Sequence, residues 1–122
     1  MRPTMLVALA GVLVLAGCED PTKKHDMSCT STFQSVTNVC TQLHVTGAEG
    51  DLARAKCEGD LHGSWSGEPC PTEHRMAGGH CKVEASQYSL SGTDALVYFY
   101  DPVVLAAAQE ACANAGGTWE SD

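Results

Sequence analysis

The sequence predicts a small α+β domain, stapled by disulfides and built from two related strand-helix halves. Three observations carry that expectation. The chain holds seven cysteines in 122 residues, a density typical of small exported domains that need covalent support. An order of Cys, Cys, Ala-rich segment, Cys, Gly and Trp occurs twice. Stretches with the β-branched content or alternation of strands also precede segments with helix caps.

The repeat is read as follows. Cys29 and Cys40 are eleven positions apart, and so are Cys70 and Cys81. A third cysteine follows in each half, Cys57 after LARAK and Cys112 after AAAQEA. Gly63 and Trp65 follow the first, and Gly116, Gly117 and Trp119 the second. This places the halves at about 29–66 and 70–120. Between its second and third cysteines the second half is 14 residues longer, which reads as one added hairpin arm.

Taken along the chain, Val39 to Thr46 reads as a strand. Thr46 and Glu49 have the spacing of a capping box, opening a helix from about Gly47 to Glu58. Ala48, Leu52, Ala55 and Glu58 are expected near one stripe, with Cys57 at its edge. Cys81, Val83 and Ala85 alternate with polar residues and read as a half-buried strand. Ala95 to Tyr100 is the strongest strand and is apolar on both faces, so Tyr98, Phe99 and Tyr100 divide between a core and a second surface. Asp101 and Pro102 read as N-cap and first residue of a second helix, with a stripe of Leu105, Ala108, Cys112 and Ala115. Gly116 ends that helix in a left-handed cap, and Trp119 packs back across its end. With seven aromatics in the whole chain the core is thin, and three bridges at about 3 kcal/mol each would supply much of the stability.

Acidic residues outnumber Lys and Arg by 15 to 7, a net charge of −8. Nucleic acid and anionic lipid surfaces need clustered positive charge, and the basic pair Lys23-Lys24 is no such cluster. Neither class is expected as a partner.

The N-terminus sets the compartment. Met5 to Leu15 is an apolar run of eleven residues after Arg2, shorter than the ~20 needed to span a bilayer and suited to a secretory signal. Leu15-Ala16-Gly17-Cys18 follows, and this resembles the lipobox of bacterial lipoproteins in all four positions. The resemblance implies a signal peptide over 1–17, cleavage between Gly17 and Cys18, and a diacylglyceryl group with further N-acylation, such as palmitate, on Cys18. Two or three acyl chains hold a protein firmly on a membrane, at about 0.8 kcal/mol per buried methylene. Glu19, rather than Asp, after the lipidated cysteine favours the outer membrane. Residues 18–28 are polar and read as a flexible tether, and 29–122 as the folded domain.

Setting Cys18 aside leaves six cysteines in an oxidising compartment: Cys29, Cys40, Cys57, Cys70, Cys81 and Cys112. Three fall in each half, so full pairing forces at least one bridge between the halves. Each helix cysteine is expected to pair with a strand cysteine. The spacing does not choose among the connectivities.

No constellation in the sequence carries a reaction. Cys70, His74, His80 and Cys81 lie within twelve residues, but no Cys-x2-Cys or His-x3-His pair is present, and the cysteines read as structural. A catalytic cysteine needs a lone thiol and a base. No Gly-x-Ser-x-Gly elbow or Cys-x-x-Cys pair occurs. Asp51, Glu58, Asp60, Glu68 and Glu73 form an acidic middle that lacks a calcium-loop pattern and reads as a solvated face.

The lipobox followed by Cys57, Gly63, Trp65, Cys112, Gly116, Gly117 and Trp119 is similar to small cysteine-rich lipoproteins of Gram-negative bacteria. The resemblance brings no active site and no cofactor. It implies a lipid-anchored cell-envelope protein, outer-membrane and held by its anchor, with a non-enzymatic binding or structural domain and an envelope protein as partner. Two alternatives stay open. One is a small ligand or metal-binding protein using His74 and His80. The other is an inhibitor of an exported hydrolase, presenting the segment from Cys70 to Cys81.

Overall fold

A computed structural model describes residues 22–90 and 92–122. The signal segment, Gly17 and Cys18 lie outside the described residues. Among the described residues six strands form one antiparallel sheet, covered on one face by two helices. In chain order these are β1 (His25–Thr30), β2 (Val39–Val45), α1 (Gly47–Ala55), β3 (Ser64–Ser66), β4 (His80–Glu84), β5 (Asp94–Phe99), α2 (Leu105–Asn114) and β6 (Thr118–Glu120). A short π turn, Lys56–Asp60, follows α1, and a 3-10 turn, Ala85–Tyr88, follows β4.

The strand order β3-β1-β2-β5-β4-β6 is a palindrome of two β-β-α-β halves. Cys29 lies opposite Thr41 on one side and Trp65 on the other. Cys81 lies opposite Val97 and Trp119 in the same way. Thr41 faces Val97 across the middle of the sheet, where the two halves meet.

This register corrects the repeat read from cysteine spacing. Cys29 corresponds to Cys81, Cys57 to Cys112 and Trp65 to Trp119, while Cys40 and Cys70 have no counterparts. The halves are 25–66 and 80–120, joined by a linker at 67–79. The long stretch between Cys81 and Cys112 is no added arm, because β4 and β5 are the partners of β1 and β2. Equal spacing of eleven residues misled because a cysteine pair records sequence distance, not the strand each thiol sits on.

The bridges are Cys29–Cys57, Cys81–Cys112 and Cys40–Cys70. Each helix-side cysteine joins the first strand of its own half, and the third bridge ties the linker to β2. The disulfide-rich domain is consistent with an extracytoplasmic location. Among the described residues no helix is long and apolar enough to cross a membrane.

Among the described residues the first strand begins at His25, ahead of the expected boundary at Cys29. His25 to Met27 pair with Leu43 to Val45. The hidden pattern is alternation: Met27 and Cys29 turn toward α1, while Asp26 and Ser28 face the other side.

Both helices are placed by their bridges. The α1 capping box is present, with Thr46 Oγ1 accepting from Glu49 N at 3.2 Å and Glu49 Oε1 accepting from Thr46 N at 2.9 Å. Its buried face is Gly50, Ala53 and Cys57 rather than the expected stripe, and Leu52 is 56% exposed. Cys57 must reach Cys29, and that turns the small residues inward. Gly50 then lies against Met27 and Val45. The second helix starts at Leu105 behind Val104, later than the expected cap at Asp101. Tyr100 to Val103 instead close a turn that contains a cis Asp101-Pro102 bond, with Val103 N donating to Tyr100 O at 2.9 Å. Ala108, Ala111 and Cys112 are its buried residues.

The two cores exchange residues between the halves. The first gathers Cys29, Leu43, Val45, Ala53 and Cys57 with Tyr88 and Leu90 from the β4–β5 connection. The second gathers Val97, Phe99, Ala108 and Cys112 with Phe33 from the β1–β2 connection. Phe33 meets Phe99 edge-on, with ring centroids 6.0 Å apart.

Candidate functional site

The helix-free face of the sheet carries Ser28, Cys40, Gln42, Leu96, Tyr98, His80 and Lys82, and the linker crosses it. The linker is tied down along its length. Ser28 Oγ donates to Glu68 O at 2.8 Å, and Cys70 N donates to Gln42 Oε1 at 2.9 Å. The Cys40–Cys70 bridge adds a covalent tie. Arg75 lies over the Tyr98 ring at 3.7 Å, a favourable cation–π geometry. Its Nε and Nη2 donate to the carbonyls of Pro71 and Cys70 at 2.8 and 3.1 Å. Tyr100 OH donates to Pro71 O at 2.7 Å.

These ties shape a cleft of about 210 Å³, lined by Thr30, Asn38, Val39, Cys40, Pro71 and Tyr100. It sits at the end of the sheet opposite His25, where the described chain enters. Pro71 and the Tyr100 ring give apolar walls, above the buried Val39 and Cys40. Asn38 and Thr30 give a polar rim, and their side chains have no hydrogen-bond partner among the described residues. Asn38 holds a left-handed backbone, φ +61°, a conformation asparagine tolerates better than most residues. Its carbonyl accepts from Tyr100 N at 3.0 Å, which joins the rim to the opposite wall.

The loop leading to Asn38 is a two-residue hairpin turn. Phe33 and Val36 exchange backbone hydrogen bonds at 3.0 and 2.9 Å around Gln34 and Ser35. Both central residues have positive φ, +51° and +70°, where Asn-Gly is the usual choice. Burial of Phe33 in the second core holds this strained turn in place.

The three consecutive aromatics of β5 have three fates. Phe99 is buried in the second core, Tyr98 lies under Arg75, and Tyr100 lines the cleft. His74 and His80 are not brought together. His74 is exposed in a turn where its carbonyl accepts from Asp101 N at 3.0 Å. His80 Nε2 pairs with Glu120 Oε1 at 2.8 Å. Among the described residues no three His, Cys, Asp or Glu side chains are grouped to hold a metal ion. The acidic middle is dispersed: Glu58 pairs with Arg54 and Asp60 with Lys56 on the exposed side of α1 and the π turn, while Glu68 and Glu73 lie in the linker.

Sequence reasoning missed the cleft because its residues come from four separate segments. The available signal was Cys70-Pro71, a cysteine without a counterpart once the Trp-bearing motifs are superposed. Comparison of the chain with protein-family models, curated proteins and solved structures finds no match.

Proposed function

We propose that this chain is a lipid-anchored cell-envelope protein whose domain is a non-enzymatic binding module. The cleft beside Cys40–Cys70 is the observation that carries the binding role. It is concave and apolar-walled, and its polar rim is unengaged among the described residues, which is the character of a recognition site. The LAGC motif supports the anchor, and Glu19 supports the outer membrane. With the anchor on Cys18, the chain would enter the domain at His25, leaving the cleft at the far end from the membrane.

Two measurements test this reading. Metabolic labelling with radioactive palmitate should label the wild-type chain and not Cys18→Ser, and membrane fractionation should place the label in the outer membrane. A photo-crosslinker at Thr30 should capture an envelope protein that one at Arg54, on α1, does not. A chain that takes no lipid overturns the anchor. Equal capture at both positions overturns the binding site.

A second reading, inhibition of an exported hydrolase, has one observation in its favour. The exposed tip Thr72–His74 is held at both ends, by Arg75 and Tyr100 on Pro71 and by Asp101 on His74. Rigid exposed loops suit inhibitors because little entropy is lost on binding. Unchanged activity of a panel of exported proteases and glycosidases at stoichiometric protein would set it aside.

A further inference from the structure

We propose that the cleft takes one aromatic side chain, presented by an extended basic segment of a partner protein. The inference rests on the binding-module reading and adds the chemistry of the ligand.

Size comes first. At about 210 Å³ the cleft falls below the roughly 300–1,000 Å³ of small-molecule pockets. It suits a single large side chain. One anchored aromatic in an apolar depression is the usual source of most of the energy in a small interface. The walls fit a planar ring, since Pro71 and Tyr100 offer apolar contact at the surface. The rim fits the ring's polar handle or the backbone beside it. Asn38 brings an amide and Thr30 a hydroxyl, both without side-chain hydrogen bonds among the described residues, and an indole N–H or phenol O–H needs such a partner when buried.

Charge selects the flanks. The chain carries −8 overall. Near the lining residues in sequence, Glu73 follows Pro71 and Asp101 follows Tyr100, and both are exposed. The nearby cation, Arg75, is already committed to the Tyr98 ring and two carbonyls. A basic segment is therefore favoured in approach and in register.

Asymmetry supplies the independent argument. Two bridges repeat and staple each helix to its own half. The third does not repeat. In the second half the position equivalent to Cys40 is Leu96, and among the described residues no disulfide tethers a segment there. The distinctive effect of Cys40–Cys70 is to hold Pro71 over β2, which builds the cleft and keeps its shape before a ligand arrives. Preorganisation of that kind strengthens binding.

The test uses the full chain with Cys18→Ser, exported and isotopically labelled, and follows its amide NMR signals. The probes are acetylated, amidated Lys-Trp-Lys, Lys-Ala-Lys and Glu-Trp-Glu, with N-acetyl-tryptophanamide. Lys-Trp-Lys should shift Thr30, Asn38, Val39 and Tyr100 saturably. Lys-Ala-Lys should bind at least about tenfold more weakly, as loss of an anchor residue implies, and Glu-Trp-Glu should also be weaker. Thr30→Trp should fill the cleft and weaken Lys-Trp-Lys binding at least about tenfold. Asn38→Gly keeps the left-handed backbone and removes only the amide, and should cost about threefold to tenfold. Equal binding of the alanine peptide, shifts centred elsewhere, or full binding by both variants overturns the proposal. N-acetyl-tryptophanamide binding as tightly as the peptide would give the cleft to a small aromatic molecule and overturn the partner segment. If lipidation and envelope crosslinking succeed while the peptide fails at the cleft, this inference falls and the binding-module reading stands.

Discussion

Gly117 sits where a side chain has no room. A Cβ there would lie 2.6 Å from Cys81 Sγ and 2.9 Å from the Lys82 carbonyl. Gly63 meets the same surroundings in the first half, 3.0 Å from Cys29 Sγ and 2.7 Å from the Thr30 carbonyl. The residue before each is left-handed, His62 at φ +53° and Gly116 at φ +77°. Each N–H donates back to its half's helix-side cysteine, Gly63 to Cys57 O and Gly117 to Cys112 O. The motif Cys, Gly, Trp is thus one device: the chain leaves the helix side, passes tightly over the disulfide, and lays a strand whose Trp faces the strand cysteine. Gly117→Ala should cost about 1–3 kcal/mol through overpacking, whereas Gly47→Ala, with nothing within 4 Å of its Cβ, should be near neutral or slightly stabilising. Urea denaturation of both variants checks the contrast. Tyr88 supplies a second test. Its hydroxyl is buried with no hydrogen-bond partner of good geometry among the described residues, and burial pushes its pKa above the ordinary 10.0, the polar side chains of Thr41, Gln87 and Ser31 nearby offsetting this only in part. The folded state then holds this proton after the unfolded chain has begun to lose it. Stability is unaffected by the group below that pH and falls as pH rises above it. Tyr88→Phe should raise stability by up to about 1 kcal/mol at neutral pH by removing an unsatisfied group. It should also flatten the fall in urea midpoint between about pH 9 and 11; an unchanged slope would exonerate Tyr88.

At the scale of elements, neither helix is built from strong apolar faces. The α1 helix has nine residues and buries only Gly50 and Ala53, too little for a short helix to hold itself together in water. It depends on its ends. The capping box satisfies donors at the start, and the Cys57 bridge anchors the turn that follows. Thr46→Ala should therefore cost about 1 kcal/mol, with hydrogen exchange of the first turn of α1 rising ahead of global unfolding. Thr46→Ser should restore most of it, because the acceptor oxygen is retained. No change in either would mean that the bridge alone holds the helix. The two outer strands are short for a related reason. At three residues each, they are as long as the Cys-Gly-Trp device requires, and their brevity limits pairing with other chains.

For the whole molecule, the exchange of Phe33 and Tyr88 decides cooperativity. Each half lends an aromatic to the core beneath the other half's helix, so neither core is complete within its own half. Phe33→Ala should cost about 3–5 kcal/mol. The informative readout is where protection is lost. Amides of Leu105–Asn114 should exchange faster than those of Gly47–Ala55, although Phe33 belongs to the half that contains α1. Loss confined to the first half would show two independent cores.

The sequence by itself determined the covalent and charge character of the chain: an apolar run followed by LAGC, acidic balance, six further cysteines and a twice-used Cys, Gly and Trp order. It also determined the strands of strongest β character, the Thr46 cap and the Gly116 stop, because these depend on local conformational preference. Tertiary structure decided the rest. The pairing register, not the eleven-residue spacing, showed which cysteines correspond, because correspondence is a matter of place in the sheet. The bridges chose which face of α1 turns inward and left Leu52 outside, because a covalent tie outweighs a weak apolar preference. The turn after Tyr100 delayed α2 past the expected cap at Asp101. The cleft exists only because Cys70 is fastened to β2, drawing Pro71 toward residues some 30 or 40 positions earlier in the chain. Distances of that kind are written in no local pattern.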